Sequence, residues 1–439
     1  MIADHPYLDK ESLQTLTSAF KNEAGNPPAV ELKYTEACMA HWFDFFYNKD
    51  VKYVVEDDRF LVWNGRYWEL DDRNTNVRRL ISLMAPEFQA RTEHIKDEKA
   101  RNAAFKYTNS LENTNRQNGI IIQLKSEATG LFIKKNDLDK NSRMINCLNG
   151  VLDLDKGTLI HHEQTKEMYF THIYNVKYDP EAICPLFDKF LNEITCEDAD
   201  LKKYLLTSLG YCISGRTDKQ LAFIFKGAGR NGKGVLRDVI EHILDGYAIE
   251  KPGKVFSKKH EGEGRFDLYD TIEKRIIFVN EPADGSAFNE ALIKQYAGGD
   301  MIPAERKYCD PFMFKPCGTL IILTNTTPKM NKSLAMSRRI RVIPFNLNID
   351  DENDDVELKD KLLKEISGIL NRLIEGYMSC DGEANPKNMV EAVADATEDV
   401  WNEADMVAAF VNTCIFRDEK STMDNAVMYL EFKKFCMNE

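Results

Sequence analysis

Within residues 216–350 four short, nearly continuous apolar runs stand out: "LAFIF", "RIIFVN", "GTLIILTN" and "IRVIPF". Each is followed by a polar element, and uninterrupted apolar runs bounded by turns are what strands buried on both faces require. Between the first two lies "VLRDVIEHIL", in which Leu236, Val239, Ile240, Ile243 and Leu244 keep helical spacing. Strands alternating with helices predict a three-layer α/β domain with a largely parallel sheet.

The flanking pattern is mixed. Residues 1–30 are polar and read as a lead-in, and "ACMAHWFDFFY" predicts a helix. "FLVWNGRYWEL" predicts a hairpin with Asn64-Gly65 as a two-residue turn. "NRQNGIIIQLKSE" and "KNDLDKNSRMINCLNGVLDLDKGTLIHHE" continue the alternation, with turns at Asn149-Gly150 and Lys156-Gly157. "CPLFDKFLNEIT" and "DLKKYLLTSLGYCIS" predict amphipathic helices ending near Gly210 and Gly215. From residue 356 the chain turns helical, through "LKDKLLKEISGILNRLIEGYMS", "ADMVAAFVNTCIF" and "DNAVMYLEFKKFCMNE". No internal repeat or low-complexity tract interrupts it.

Composition narrows the function classes. A formal charge of −13 argues against a protein coated in basic surface, although a narrow basic channel can sit on an acidic body. Part of the acidity is the run "NIDDENDDVELKD" at 348–360, which reads as a solvated loop leading into a helix. The ten cysteines form no C-x-x-C pair, which fits reduced, mostly buried thiols and gives no zinc signature. His161 and His162 are adjacent without obvious metal-ligating partners. No long uncharged apolar run predicts a membrane span, and the N-terminus lacks the pattern of a signal peptide. A bacterial or host cytoplasm is the expected location.

The chemistry concentrates after the first apolar run, in "GAGRNGKGV". Gly227, Ala228, Gly229, Arg230, Asn231, Gly232, Lys233, Gly234 and Val235 sit between a strand and a helix, where a phosphate-binding loop belongs. Glycines let backbone N–H groups turn toward phosphate, the helix N-terminus adds its positive dipole end, and Lys233 reaches the β- and γ-phosphates. The pattern departs from the usual loop at Gly234, which takes the place of the Ser or Thr that ligates magnesium. The second run ends in "VNEPADG", where Glu281, with Asp284 behind it, can polarise an attacking water or hold magnesium. The third run ends at Asn325, a side chain placed to orient water or touch the γ-phosphate. Arg338 and Arg339 precede the fourth run, and arginines stabilise charge on a transferring phosphoryl group, often from a neighbouring subunit.

In this order the motifs resemble the superfamily 3 helicases, specifically the primase-helicases of phages, plasmids and large DNA viruses. "NCLNGVLDLDKGTL", "CPLFDKFLNEI" and "YLLTSLGYCISGRT" are similar to the region preceding the motor in that group. "GAGRNGKG", "NEPADG", "ALIKQYAGGDMIPAERKYCDPFMFKP", "LTNTTPKM" and "SRRIRVIPF" resemble its motifs A, B, B-prime, C and arginine finger. The resemblance implies that the B-prime segment forms a hairpin in a central pore, with Lys307 and Tyr308 at its tip and Arg306 beside them, gripping single-stranded DNA. A cation for phosphate and an aromatic face for a base suit sequence-independent tracking. At Asn280 many relatives carry an acid, a second departure that bears on magnesium.

The implied protein has an α/β architecture: a P-loop, AAA+-like three-layer ATPase core at 216–350, an α+β N-terminal domain at 31–180 and a helical collar at 181–215. A helical region at 351–439 resembles the start of a winged helix, expected to be cut short. The implied activity is ATP- and magnesium-dependent translocation on single-stranded or forked DNA by a homo-hexameric ring, with Arg338 completing a neighbour's site and other replication proteins as partners. A primase activity is not expected, because the preceding segment is short. The rival readings are a nucleotide-responsive ring that marks or melts an origin and, more remotely, a small-molecule phosphotransferase.

Overall fold

The computed structural model describes residues 33–127, 129–258, 265–281, 287–305, 311–348, 355–404, 410–411, 413–415 and 422–438. The chain divides into two units, residues 1–141 with 160–173, and residues 142–159 with 174–439.

In the first unit, α1 (Glu36–Tyr47) is capped by the Thr35 hydroxyl, which accepts from the Cys38 amide at 3.3 Å. It runs into β1 (Val51–Val54), β2 (Arg59–Trp63) and β3 (Trp68–Leu70), and β4 (Phe132–Ile133) completes a sheet of order β3-β2-β1-β4. Helices α2 (Thr75–Leu83), α3 (Ala85–Thr92), α4 (Glu98–Asn109) and α5 (Thr114–Glu127) accompany it. Trp42, Phe43, Leu80, Phe88, Ile120 and Leu124 belong to one apolar core.

One sequence expectation, the two-residue hairpin turn, fails in this unit. "NRQNGIIIQLKSE" lies in a helix, α5, because Ile120, Ile121 and Leu124 share a buried face while Ile122 is exposed. Packing against the aromatic face of α1 overrides the strand preference of three consecutive isoleucines. The hairpin turn is longer than two residues. Trp63 pairs with Trp68, leaving 64–67 as the loop. The Asn64 side-chain oxygen accepts from the amides of Arg66 and Tyr67, both at 3.0 Å, and so builds the turn itself.

The second unit starts with β5 (Met144–Cys147), β6 (Gly150–Asp153) and β7 (Thr158–Ile160). Cys147 pairs with Gly150, so the two-residue turn is Leu148-Asn149, one position before the expected one. Then follow α6 (Pro185–Ile194) and α7 (Ala199–Ile213).

The apolar runs become β8 (Ala222–Lys226), β10 (Ile276–Asn280), β13 (Thr319–Thr324) and β14 (Ile340–Pro344), joined by β9 (Ala248–Lys251). They form one sheet of order β14-β8-β13-β10-β9 in which every neighbouring pair is parallel. Counted in chain order within the sheet, the arrangement is 5-1-4-3-2. Between the strands lie α8 (Lys233–Leu244), α9 (Arg265–Tyr269), α10 (Glu290–Gly298), the antiparallel pair β11 (Ile302–Ala304) and β12 (Phe312–Phe314), and α11 (Leu334–Ser337). After the sheet come α12 (Leu358–Leu363), α13 (Ile366–Ser379), α14 (Glu391–Ala404) and α15 (Asn425–Asn438).

The sheet is covered on both faces, and the strands show why their apolar runs are unbroken. Phe223 and Phe225 of β8, Ile276 and Phe278 of β10 and Ile343 of β14 join one core with the apolar stripe of α8. Their alternate neighbours, Ala222, Ile224, Ile277, Val279 and Val342, join a second core with Ile293 and Tyr296 of α10 and Trp401 of α14. With both faces packed, the inner positions of β8, β10, β13 and β14 are apolar, Arg341 of β14 excepted. Among the described cysteines all are free thiols, most of them buried. No helix among the described residues is long and apolar enough to cross a membrane.

Gly210 does not end its helix as expected. It lies inside α7, where a Cβ would meet the Tyr377 amide nitrogen at 2.2 Å and the Leu373 carbonyl oxygen at 2.5 Å. Gly376 on α13 is in the same position toward the Leu206 carbonyl, at 2.2 Å. These two glycines let the backbones of α7 and α13 touch. Gly210→Ala should therefore destabilise the second unit by about 2 kcal/mol, since overpacking against backbone costs roughly 1–3 kcal/mol. A urea midpoint unchanged from wild type would contradict this packing.

Candidate functional site

The site is built by strand order. β13 lies between β8 and β10, with Thr324 opposite Lys226 and Leu323 opposite Asn280. All three strands run the same way, so their C-terminal ends bring Gly227, Asn325 and Glu281 to one edge of the sheet. Crevices at the carboxyl ends of parallel strands are where α/β proteins bind ligands.

The loop between β8 and α8 turns on three left-handed residues: Gly229 (φ 100°), Arg230 (φ 45°) and Gly232 (φ 82°). Gly227 is required for another reason. A Cβ there would stand 2.2 Å from Asn231 Nδ2 and 2.3 Å from the Phe345 carbonyl oxygen. Asn231 is buried and donates to that Phe345 carbonyl at 3.1 Å, pinning the loop to the end of β14.

Lys233 is the first residue of α8 and only 7% exposed. An ammonium has three protons to donate. Here its acceptors are the Gly227 carbonyl at 2.6 Å, Asn231 Oδ1 at 3.1 Å and Asn325 Oδ1 at 3.2 Å. Burial holds the Lys233 pKa below the ordinary lysine value. An anion entering the loop would replace neutral acceptors by a charged one and reverse that shift.

Glu281 is tied to the same strand end. Its carboxylate accepts from the Thr324 hydroxyl at 2.7 Å and from the Thr326 hydroxyl, while its amide donates to the Leu323 carbonyl at 3.2 Å. Thr324 also links the loop, because its carbonyl accepts from the Gly227 amide at 3.2 Å. Lys233, Asn325 and Glu281, singled out from sequence, thus occupy one connected edge.

The arginines do not join them within the chain. Arg338 and Arg339 precede β14, whose first residue pairs with Ala222 at the start of β8. They stand at the opposite end of the sheet, about 16 Å away at roughly 3.3 Å per residue. Arg338 is exposed, and Arg339 donates to the Ala335 carbonyl at 2.9 Å and to Gln220 at 3.3 Å. Asp284, Arg306, Lys307 and Tyr308 lie outside the described residues. The strands on either side of 306–308, β11 and β12, pair antiparallel.

Sequence reasoning missed several contributors. Thr324 and Thr326 were visible as the hydroxyl-rich "TNTTP" after the third run. Glu403 on α14 gave no local signal. Its carboxylate lies 3.2 Å from Lys226 Nζ and accepts from the Thr327 hydroxyl, so it ties the ends of β8 and β13 to a distant helix. Glu250 and Arg237, 3.2 Å apart beneath Asn280, were also passed over.

A doubly covered parallel sheet with a glycine loop opening a helix at its C-terminal edge defines an α/β protein. Residues 39–196 match the family described as "D5 N terminal like", and residues 225–339 match a "Family of unknown function (DUF5906)". The chain is 25% identical over 311 residues to "Putative helicase L207/L206" of Acanthamoeba polyphaga mimivirus, covering 69% of this chain and 32% of that protein. It is 28% identical over 278 residues to "Putative helicase 184R" of Invertebrate iridescent virus 6, covering 59% and 28%. The chain therefore spans a third or less of the length of these relatives. Among solved structures, the NrS-1 C terminal region overlays with a TM-score of 0.49 at 13% identity, covering 92% of this chain and 86% of that one. The chain is thus similar, in its first part, to the family described as "D5 N terminal like" and, over much of its length, to helicase-named viral proteins.

The two glycines flanking the loop should respond oppositely to substitution. Gly227→Ala should disorder the loop and lower the thermal midpoint by several degrees. Gly234, where a Cβ would meet nothing within 4 Å, should accept Ser or Thr with no loss of stability. Equal effects in thermal unfolding would contradict this description of the loop.

Proposed function

We propose that the chain is the motor portion of an ATP-driven, ring-forming DNA helicase of the superfamily 3 type, moving on single-stranded or forked DNA. One observation carries this reading: Lys233, Asn325 and Glu281 converge at the C-terminal edge of a parallel sheet of order 5-1-4-3-2. The helicase-named viral relatives support the coarser function. The antiparallel β11–β12 pair around 306–308 supports the expectation of a DNA-gripping segment bearing Arg306, Lys307 and Tyr308.

In this mechanism the loop amides and the α8 N-terminus hold the β-phosphate, and Lys233 turns from its neutral acceptors to the β- and γ-phosphate oxygens. That exchange releases Asn325 Oδ1, which is then available to orient water beside the γ-phosphate. Glu281 polarises the water, with the Thr324 and Thr326 hydroxyls setting the direction of its carboxylate. Arg338, exposed at the far end of the sheet from Lys233, would serve a neighbour's nucleotide rather than its own chain's. A ring of six such subunits would place each Arg338 against the next loop.

The donor chemistry here suits magnesium: one carboxylate, an amide oxygen and hydroxyls are the hard oxygen ligands it takes, and open space beside Gly234 leaves room for its waters. Glu281 and Asn280 would hold it, directly or through water, and bound with ATP it would neutralise charge on the β- and γ-phosphates. The rival reading, a nucleotide-responsive ring that marks an origin without turnover, is favoured by one feature, the missing hydroxyl at Gly234.

Steady-state ATP hydrolysis with and without single-stranded DNA separates the two. Lys233→Ala should lower turnover by about 100-fold or more, the scale seen when one charge-stabilising group is removed. Lys307→Ala should keep basal turnover and lose stimulation by DNA. Arg338→Ala should be inactive alone yet recover turnover when mixed with Lys233→Ala, because mixed rings contain interfaces with both residues intact. No turnover in the wild-type protein at any magnesium concentration would make the origin-marking ring the better account. No recovery on mixing would remove Arg338 from the site.

A further inference from the structure

Beneath the loop, a second polar cluster connects α8 to β9 and β10. Asn280, the last residue of β10, donates its side-chain amide to Glu250 Oε1 on the neighbouring strand β9. Glu250 lies two positions back in register, opposite Phe278, so the two side chains share a face of the sheet. The other carboxylate oxygen of Glu250 lies 3.2 Å from Arg237 Nη1. Arg237 also binds Asp238 at 2.7 Å, and Asp238 lies 3.4 Å from Lys359. On α8, Arg237 is three residues after Gly234, hence on the same helical face as the missing hydroxyl.

Simple donor chemistry fixes the amide. A carboxylate only accepts, so the group Asn280 turns to Glu250 is Nδ2. Its Oδ1 is then the remaining polar atom of the amide, at the C-terminal end of β10 one residue before Glu281. Both Glu250 oxygens are already engaged, one by Asn280 and one by Arg237, so Glu250 acts through Asn280 rather than on a ligand.

We propose that Glu250 is a positioning residue for a divalent cation bound with nucleotide, locking Asn280 so that its Oδ1 takes the ligand role left open by Gly234. This rests on the nucleotide-site reading above. Arg237 cancels the charge of Glu250, so the cation meets a neutral amide oxygen here and a single carboxylate at Glu281. The arrangement sets cation affinity lower than two acids would. Replacing Asn280 by Asp alone does not strengthen it, because the new carboxylate would face Glu250 with no proton between them.

The test is manganese binding to the full chain with a non-hydrolysable ATP analogue, read by electron paramagnetic resonance, beside analogue binding in EDTA. Glu250→Ala should weaken manganese by about 10-fold, the lower end of what loss of an outer partner costs a metal site. Asn280→Asp should give no gain in manganese affinity. The double variant Asn280→Asp with Glu250→Gln restores a donor–acceptor pair, with the roles reversed, and should tighten manganese about 10-fold over wild type. Analogue affinity in EDTA should stay within a factor of two throughout, because Lys233 and the loop are untouched. Wild-type manganese affinity in Glu250→Ala, or no tightening in the folded double variant, would overturn the proposal. Wild-type protein that binds no analogue, with or without manganese, would instead overturn the nucleotide-site reading itself.

Discussion

The parallel register of β8 against β13, and of β13 against β10, is the constraint on which the site depends. Thr324 stands opposite Lys226 and Leu323 opposite Asn280. Since side chains alternate along a strand, a slip of one residue would send buried positions to the wrong face and break both cores at once. The alternating division of Phe223 and Phe225 from Ala222 and Ile224 between two cores therefore locks the register. Apolar packing inside the sheet thus fixes where the polar edge groups fall, although none of those groups contributes to the packing.

The polar edge also has to satisfy itself. Lys233 is buried as a cation, and it is tolerable there because three oxygens receive its three protons. All three acceptors, the Gly227 carbonyl and the amide oxygens of Asn231 and Asn325, are neutral, so the ammonium is solvated without being neutralised. That leaves its charge available to a phosphate. Glu281 has the complementary arrangement: two threonine hydroxyls donate to it, orienting the carboxylate without cancelling its charge. Neither residue is spent in a mutual salt bridge, which suits groups that must act on a third party.

How much of this was legible in the sequence follows from the range of the forces involved. The four central strands, α8 with its stripe at Leu236, Val239, Ile240, Ile243 and Leu244, and the strand-end positions of Glu281 and Asn325 were readable because each depends on local periodicity. Ile120–Ile122 could not be assigned locally, because three β-branched residues in a row favour a strand until a partner face, here α1, takes two of them. Gly210 misled because a glycine reads as a terminator locally, whereas its use depends on α13, more than 150 residues later. Glu403 and Glu250 could not be read at all. An acid on a helix or strand carries no mark of the partner it will meet, and theirs are set by tertiary contact alone.

Gly227 and Gly234 show how one residue type can record opposite circumstances. At Gly227 the surroundings forbid a side chain, since Asn231 and Phe345 fill the space a Cβ would need. At Gly234 they leave the space open, so the absent hydroxyl is not a packing requirement. The loop could carry a Ser or Thr there and does not, while the neighbouring strand end carries Asn280 where an acid would serve a metal better. In the proposed nucleotide site, both departures would lower the negative and oxygen-donor strength on the cation side without touching the lysine side. Such a site would separate two tasks: Lys233 and the loop amides would secure phosphate, and a metal would contribute through fewer protein ligands. Cation affinity would then be the adjustable quantity, set by Asn280 and by the Glu250–Arg237 pair that holds it.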